Sequence, residues 1–255
     1  MIELKNISKS YNGIPVLQDI SMTFRDNGCY CLMSPSGSGK TTLMRILMGL
    51  EQPDTGTVRI YGQDGEVGDC RTAGDCRVAG DCRAVRDHRE TGDFRTVRDC
   101  RAARGHREAG DFRAARIGRT SLAISAVFQE DRLCESFSPL ENVMMCAGRS
   151  IKASLVRQEM EKLLPAKCLD RPVSTLSGGM KRRVAVYRAL LTPSDVLVMD
   201  EPFTGMDEEL KHSVIAYIRE KQAGRILILS THQEEDVKLI GGELVRITSM
   251  NIRHL

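Results

Sequence analysis

The chain lacks any apolar run long enough to cross a membrane. Its apolar clusters, such as "VLVM" at 196–199 and "ILIL" at 226–229, fall far short of the ~18 residues that a span requires. Any membrane role must therefore pass through a partner. It also lacks a charge excess outside one segment. The net charge is +3, but residues 68–116 hold 12 Arg against 9 Asp and Glu, and the remainder balances at 25 against 25. That composition offers no basic patch for nucleic acid, and no such partner is expected. No secretory leader pattern is seen, since "MIEL" starts directly on a strand-like pattern. The nine cysteines are an odd number, and Cys29 and Cys31 sit in an apolar run, as buried thiols do. These features favour a reducing, cytosolic setting without disulfides. What is present is a 255-residue chain, 41% hydrophobic and 28% charged, enough for one large domain with a sizeable core.

Residues 29–50 read "CYCLMSPSGSGKTTLMRILMGL". A short apolar strand runs into a Gly/Ser loop and then a helix with Leu43, Ile46, Leu47 and Leu50 on one face. This is the setting of G-x-x-x-x-G-K-[ST], in which glycines let backbone N–H groups curl around phosphate and the helix start adds its dipole. Lys40 would reach the β- and γ-phosphates and the Thr41 hydroxyl would bind Mg²⁺. Ser34 stands where the pattern has its first Gly, so a strained or altered start to the loop is expected, with binding retained.

Downstream, "DVLVMDEP" at 195–202 is an apolar strand ending in two carboxylates. Asp200 suits an outer ligand of Mg²⁺, and Glu201 is placed to polarise an attacking water. "LSGGMKRRVAVYRAL" at 176–190 is a Ser-Gly-Gly turn opening an Arg-rich helix, a second anion-receiving helix start in one chain.

With these motifs in this order, everything outside residues 68–116 resembles the ATP-binding subunit of an ABC transporter. "LSGGM" resembles the family signature, with Met180 where Gln is commonest. Tyr11 in "KSYNGIPVLQDIS" stands where the family stacks an aromatic on adenine, and Gln129 in "AVFQEDRL" matches the loop that senses Mg²⁺ and the membrane partner. Asp207 in "FTGMD" matches a loop reaching across the dimer, and His232 in "LSTH" matches the γ-phosphate switch. The resemblance implies ATP at Tyr11, Ser36, Gly37, Ser38, Gly39, Lys40, Thr41, Thr42, Ser177, Gly178, Gly179 and Asp207. It implies Mg²⁺ at Thr41, Gln129 and Asp200, and catalysis by Glu201, His232 and Gln129. It also implies a homodimer in which Ser177, Gly178 and Gly179 of one copy cover the γ-phosphate held by Lys40 of the other.

The fold expected is α/β, a P-loop NTPase in one domain over 1–255. Its mostly parallel core sheet would use strands at 29–33, 123–128, 195–200 and 225–230. An N-terminal antiparallel subdomain would use 1–28 and 55–62, a helical signature subdomain 131–190, and after His232 only a short tail would follow. "VFQEDRL" and "PFTGMD" look most like importers of nitrate, sulfonate, taurine and thiamine precursors. That likeness implies an integral membrane permease, an extracytoplasmic solute-binding protein acting indirectly, and a place on the cytoplasmic face of the membrane. Two other readings stay open: a soluble ABC ATPase without a permease, and a degenerate module that does not hydrolyse.

Between Lys40 and Gln129 lie hexads in which Arg returns at 71, 77, 83, 89, 95, 101, 107 and 113. Their 49 residues, Gly68 to Arg116, match the excess over the family's usual spacing, so they read as an insertion. A period of six builds no amphipathic helix, because each column scatters over three faces. Cys70, Cys76, Cys82, His88, Cys100 and His106 merely follow the period, unlike the C-x₂-C pairs of zinc sites. The favoured reading is a flexible mixed-charge loop, with ordered strand stacking as the alternative.

Overall fold

The computed structural model describes residues 1–35, 37–61, 67–69, 77–79, 122–147, 151–248 and 251–254. The chain opens on a hairpin of β1 (Ile2–Tyr11) and β2 (Ile14–Phe24). Asn12 and Gly13 join the strands with φ of 51° and 77°, the double left-handed turn that matches the twist of paired strands. β4 (Thr55–Tyr61) lies antiparallel on β1 with Ile2 opposite Ile60, and β5 (Val67–Asp69) lies beyond it. The sheet order is β2-β1-β4-β5.

The second sheet is the parallel one expected. Its order is β11-β10-β3-β9-β8-β7-β6, with β3 (Cys29–Met33), β6 (Arg77–Ala79), β7 (Ala123–Val127), β8 (Val196–Met199), β9 (Ile226–Ser230), β10 (Glu243–Thr248) and β11 (Asn251–His254). Only β11 runs antiparallel to its neighbour. β8 and β9 are buried at every residue, which is why their sequences are unbroken apolar runs. Their side chains alternate between two cores. Leu197, Met199, Leu227 and Leu229 pack into the core with the later helices, whereas Val196, Val198, Ile226 and Ile228 join the core of the antiparallel sheet and the first helix.

Six α-helices accompany the sheets among the described residues: α1 (Lys40–Leu47), α2 (Pro139–Met144), α3 (Ala153–Met160), α4 (Gly178–Leu191), α5 (Glu208–Gln222) and α6 (Glu234–Ile240). Their starts follow local chemistry. Ser138 and Glu141 form a reciprocal capping box with Pro139 in the first turn of α2. Glu234, Glu235 and Asp236 lie at the positive end of α6.

One expectation needs correction. The residues after His232 are no mere tail: α6 is followed by β10, which pairs directly with β3 through Leu244 and Cys31. The signal was the short alternation in "ELVRI". Five described residues of the hexad segment lie in strands. Gly68 and Asp69 sit in β5, and Arg77–Ala79 form β6, an edge strand with Arg77 opposite Ala123. The rest of that segment, including Cys70, Cys76, Cys82, His88, Cys100 and His106, lies outside the described residues.

Candidate functional site

β3, β9 and β8 are adjacent, and each delivers its following residues to the same edge of the sheet, where open α/β sheets place their ligands. The loop after β3 turns on Gly37 and Gly39, with φ of 81° and 89°. A side chain at Gly39 would also place its Cβ 2.7 Å from Leu17 Cδ2 and 3.0 Å from the Val16 carbonyl oxygen. Conformation and space thus both require glycine at Gly39. Lys40, 7% exposed, donates from Nζ to the Ser34 carbonyl at 2.6 Å and the Pro35 carbonyl at 3.3 Å. Burial pulls its ammonium below the ordinary lysine range, and the negative charges of Glu201 and Asp200 oppose that shift.

Ser34 takes an ordinary backbone conformation at the start of the loop. It is absent from the positive-φ residues, its hydroxyl bonds to that of Ser38, and its carbonyl holds Lys40. Ser36 lies outside the described residues. Thr42 is half-buried on α1.

The ends of β8 and β9 supply the carboxylates. Thr41 Oγ1 donates to Asp200 Oδ2 at 2.9 Å, joining the start of α1 to β8. Ser230, which the sequence reading missed, donates to Asp200 Oδ1 at 2.6 Å and accepts from the Glu201 backbone N–H at 2.8 Å. Its signal was its place at the end of an apolar strand, two residues before His232. Glu201 takes φ of 49°, a left-handed conformation uncommon for a side chain of its size. The strand direction breaks there, and Glu201 Oε1 accepts from His232 Nε2 at 2.7 Å. Thr41, Asp200, Ser230, Glu201 and His232 are therefore linked at one sheet edge, with Lys40 beside them.

The other predicted residues lie on separate devices. Ser177 caps α4, accepting from Met180 N at 3.4 Å. Gly178 has no atom within 4 Å of where a Cβ would project, whereas a Cβ on Gly179 would fall 2.4 Å from the Gly205 carbonyl oxygen. Asp207 caps α5, accepting from Leu210 N at 2.8 Å. Gln129 is exposed, with its backbone carbonyl accepting from Arg182 at 2.5 Å. Tyr11 is 41% exposed at the end of β1, with Lys9 Nζ 5.5 Å from its ring centre.

The arginines of α4 are held mainly by backbone carbonyls, with the Asp131 carboxylate also 3.2 Å from Arg182. Arg182 donates to the Phe128 and Gln129 carbonyls, Arg188 to those of Arg132 and Asp131, and Arg183 to those of Gly179 and Leu163. Arg182 and Arg188 bind the signature helix to the loop carrying Gln129, and Arg183 ties it to Leu163. A composition-level count of arginine could not separate these structural partners from ligand contacts.

A family model described as ABC transporter matches residues 17–90 and 97–204. The chain belongs to the ABC transporter family. The motif order read from the sequence is thereby matched at the level of the family. Nod factor export ATP-binding protein I of Ralstonia nicotianae is 29% identical over 96% of this chain and 63% of its own length. The protein of the same description from Paraburkholderia xenovorans is 32% identical over 93% of this chain and 64% of its own length. The chain thus spans less than two thirds of those relatives. Among solved structures, the dimeric form of the bacterial ABC transporter cassette MJ0796 superposes with a TM-score of 0.69. It covers 100% of this chain and 98% of that one at 20% identity. The importer likeness read from "VFQEDRL" and "PFTGMD" finds no support among these relatives, whose descriptions are of export proteins.

Proposed function

We propose that the chain hydrolyses ATP as the motor subunit of an ABC exporter, in a pair with a second copy and bound to an integral membrane permease. The observation that carries this is the connected set Thr41–Asp200–Ser230–Glu201–His232, which joins the phosphate loop to a carboxylate with a histidine partner. In this reading the loop around Gly37 and Gly39 cradles the phosphates, Lys40 neutralises them, and Tyr11 stacks on the base. Glu201 accepts the proton of the attacking water, and His232 orients Glu201 and reads the γ-phosphate. Asp207 and Ser177–Gly179 act on the nucleotide of the facing copy.

Mg²⁺ is implied by the family, and the residues fit it. Thr41 and Asp200 bring a hydroxyl and a carboxylate within 2.9 Å, an all-oxygen set suited to an ion completed by phosphate and water. Gln129 would join them from its loop. When bound, the ion would neutralise charge on the phosphates.

Export is favoured over import by the descriptions of the relatives, and it leaves no role for a solute-binding protein. The membrane link is through a partner, since no helix among the described residues is long and apolar enough to cross a membrane. The placement that follows is the cytoplasmic face, peripheral to the permease. The intact Asp200–Glu201 pair argues against a degenerate module. Phosphate release from Mg²⁺-ATP by the purified chain tests the activity, and co-purification with an integral membrane protein tests the setting. A chain that binds ATP without releasing phosphate would overturn the first, and one that never meets a membrane protein the second.

A further inference from the structure

Beneath the His232 loop lies an ion pair that the reaction outlined above does not use. Lys211 sits on α5 one turn beyond Asp207, and Asp236 sits in the first turn of α6. Their side chains are 5% and 4% exposed, with Nζ 3.1 Å from Oδ1. Lys211 also donates to Glu208 Oε1 at 2.8 Å and to the side-chain carbonyl of Gln233. Asp236 Oδ2 accepts from Thr231 Oγ1 at 2.5 Å, and that hydroxyl accepts from Gln233 N at 3.2 Å. The residues on both sides of His232 are thus tied to α5 through one cation, Gln233 directly and Thr231 by way of Asp236.

Burial disfavours the charge of Lys211, but its hydrogen bonds to Glu208 and Asp236 outweigh that and hold it above the ordinary lysine range. An ion pair buried this deeply adds little over apolar residues of equal size, so its value lies in fixing a geometry. The geometry it fixes borders the site. A cavity of about 240 Å³ is lined by Glu201, Gly205, Lys211, Thr231, His232 and Asp236. Gly205 is also the residue whose carbonyl meets Gly179 of the signature turn.

We infer that Lys211 is a positioning residue for hydrolysis: paired with Asp236, it ties the start of α5 to the loop that aims His232 at Glu201. A shift of Asp207 and Gly205 on meeting the second copy is thereby passed to His232. The inference rests on the ATPase reading above.

The test is steady-state ATPase kinetics of the purified chain, with nucleotide binding and thermal melting recorded for every variant. In Lys211→Met, kcat should fall about tenfold or more with KM within about twofold of the parent, since aim is lost and binding is not. Lys211→Arg, which keeps the cation, should retain kcat within about threefold. In a His232→Ala background the same Lys211→Met change should cost less than about twofold, because both act through one group. Thr231→Val removes only the hydroxyl link and leaves the ion pair, and it should lower kcat about threefold or more at a near-parental melting temperature. This variant decides the matter if Lys211→Met does not fold. Parental kcat in folded Lys211→Met or Thr231→Val overturns the inference, as does a full multiplicative loss on top of His232→Ala. A parent chain that releases no phosphate overturns the functional reading, and this inference falls with it.

Discussion

α1 and α4 both begin at a glycine-rich turn, but the chain completes only one of these starts itself. At α1, Gly39 is packed under Val16 and Leu17, Lys40 is buried, and Thr41 bonds to Asp200 on a strand far away in sequence. Every neighbour that a phosphate site needs is supplied by the same chain. At α4, Ser177 caps its own helix, Gly178 faces open space, and the arginines that follow are turned back onto carbonyls. A helix start whose nearest cations are engaged elsewhere, Lys181 by Glu135 and Arg182 by backbone carbonyls, is a weak anion site alone. It becomes useful when another molecule brings the phosphate and its charges. The contrast explains why the proposed unit is a pair of chains, each contributing a different half.

The largest expected effect separates chemistry from both helix starts. Glu201→Gln preserves size and leaves the Ser230 contact to the backbone, but removes the basic oxygen that His232 orients. ATP should still bind, while turnover falls by ~10²-fold or more. Phosphate release alongside nucleotide binding checks this, and near-normal turnover would remove Glu201 from its role.

A mixture of subunits breaks the comparison more directly. Lys40→Ala damages the completed start and Ser177→Arg the open one, and each alone should lose about tenfold or more of the activity. In a mixed pair one composite site carries both defects and the other neither, so activity should return on mixing. Proven heterodimers that stay inactive would argue against composite sites.

Gly179→Ala probes the join between the signature turn and the loop before α5. Its Cβ would meet the Gly205 carbonyl oxygen at 2.4 Å, backbone against backbone, so one segment must shift. Overpacking of this kind costs about 1–3 kcal/mol, and ATPase activity should fall several-fold, whereas Gly178→Ala has free space on its side. Melting temperatures and rates of the two variants, compared side by side, test whether the contact matters.

The completed start was the more legible in sequence. Its strand, loop and helix are contiguous, so spacing alone located Lys40 and Thr41. The contacts of Ser230, Lys211 and Asp236 were not legible, because their partners are brought together only by the fold. Thr41 and Asp200 are 159 positions apart, and no local pattern reports that they touch. The Arg182 and Arg188 contacts were hidden for the same reason. β10 escaped because its alternation is short and its neighbour in the sheet is β3, near the other end of the chain.

The smallest expected effect concerns the hexads. The reading of Gly68–Arg116 as an insertion predicts that a short Gly/Ser linker in its place leaves ATP hydrolysis within a few-fold of the parent. The two strands divide that prediction into parts. β6 covers the edge of β7, whose residues Ile124 to Val127 are buried and lead to Gln129; removing it leaves an unpaired edge in the core sheet. β5 extends the outer edge of the antiparallel sheet, beyond β4. A linker replacing only residues 80–116 keeps both strands and should change neither rate nor melting temperature appreciably. Replacing 68–116 should lower the melting temperature while leaving kcat within about threefold, since neither strand contributes a residue to the Lys40–Glu201 cluster. Because Arg-led triplets recur at every period, such as "RAV" at 83–85, a deletion of one whole hexad offers another triplet for the β6 position. Deleting six residues should therefore cost less stability than deleting three. Equal losses from the two deletions would show that β6 is specific to Arg77–Ala79, and loss of ATPase in the folded 80–116 variant would make the hexads part of the working enzyme.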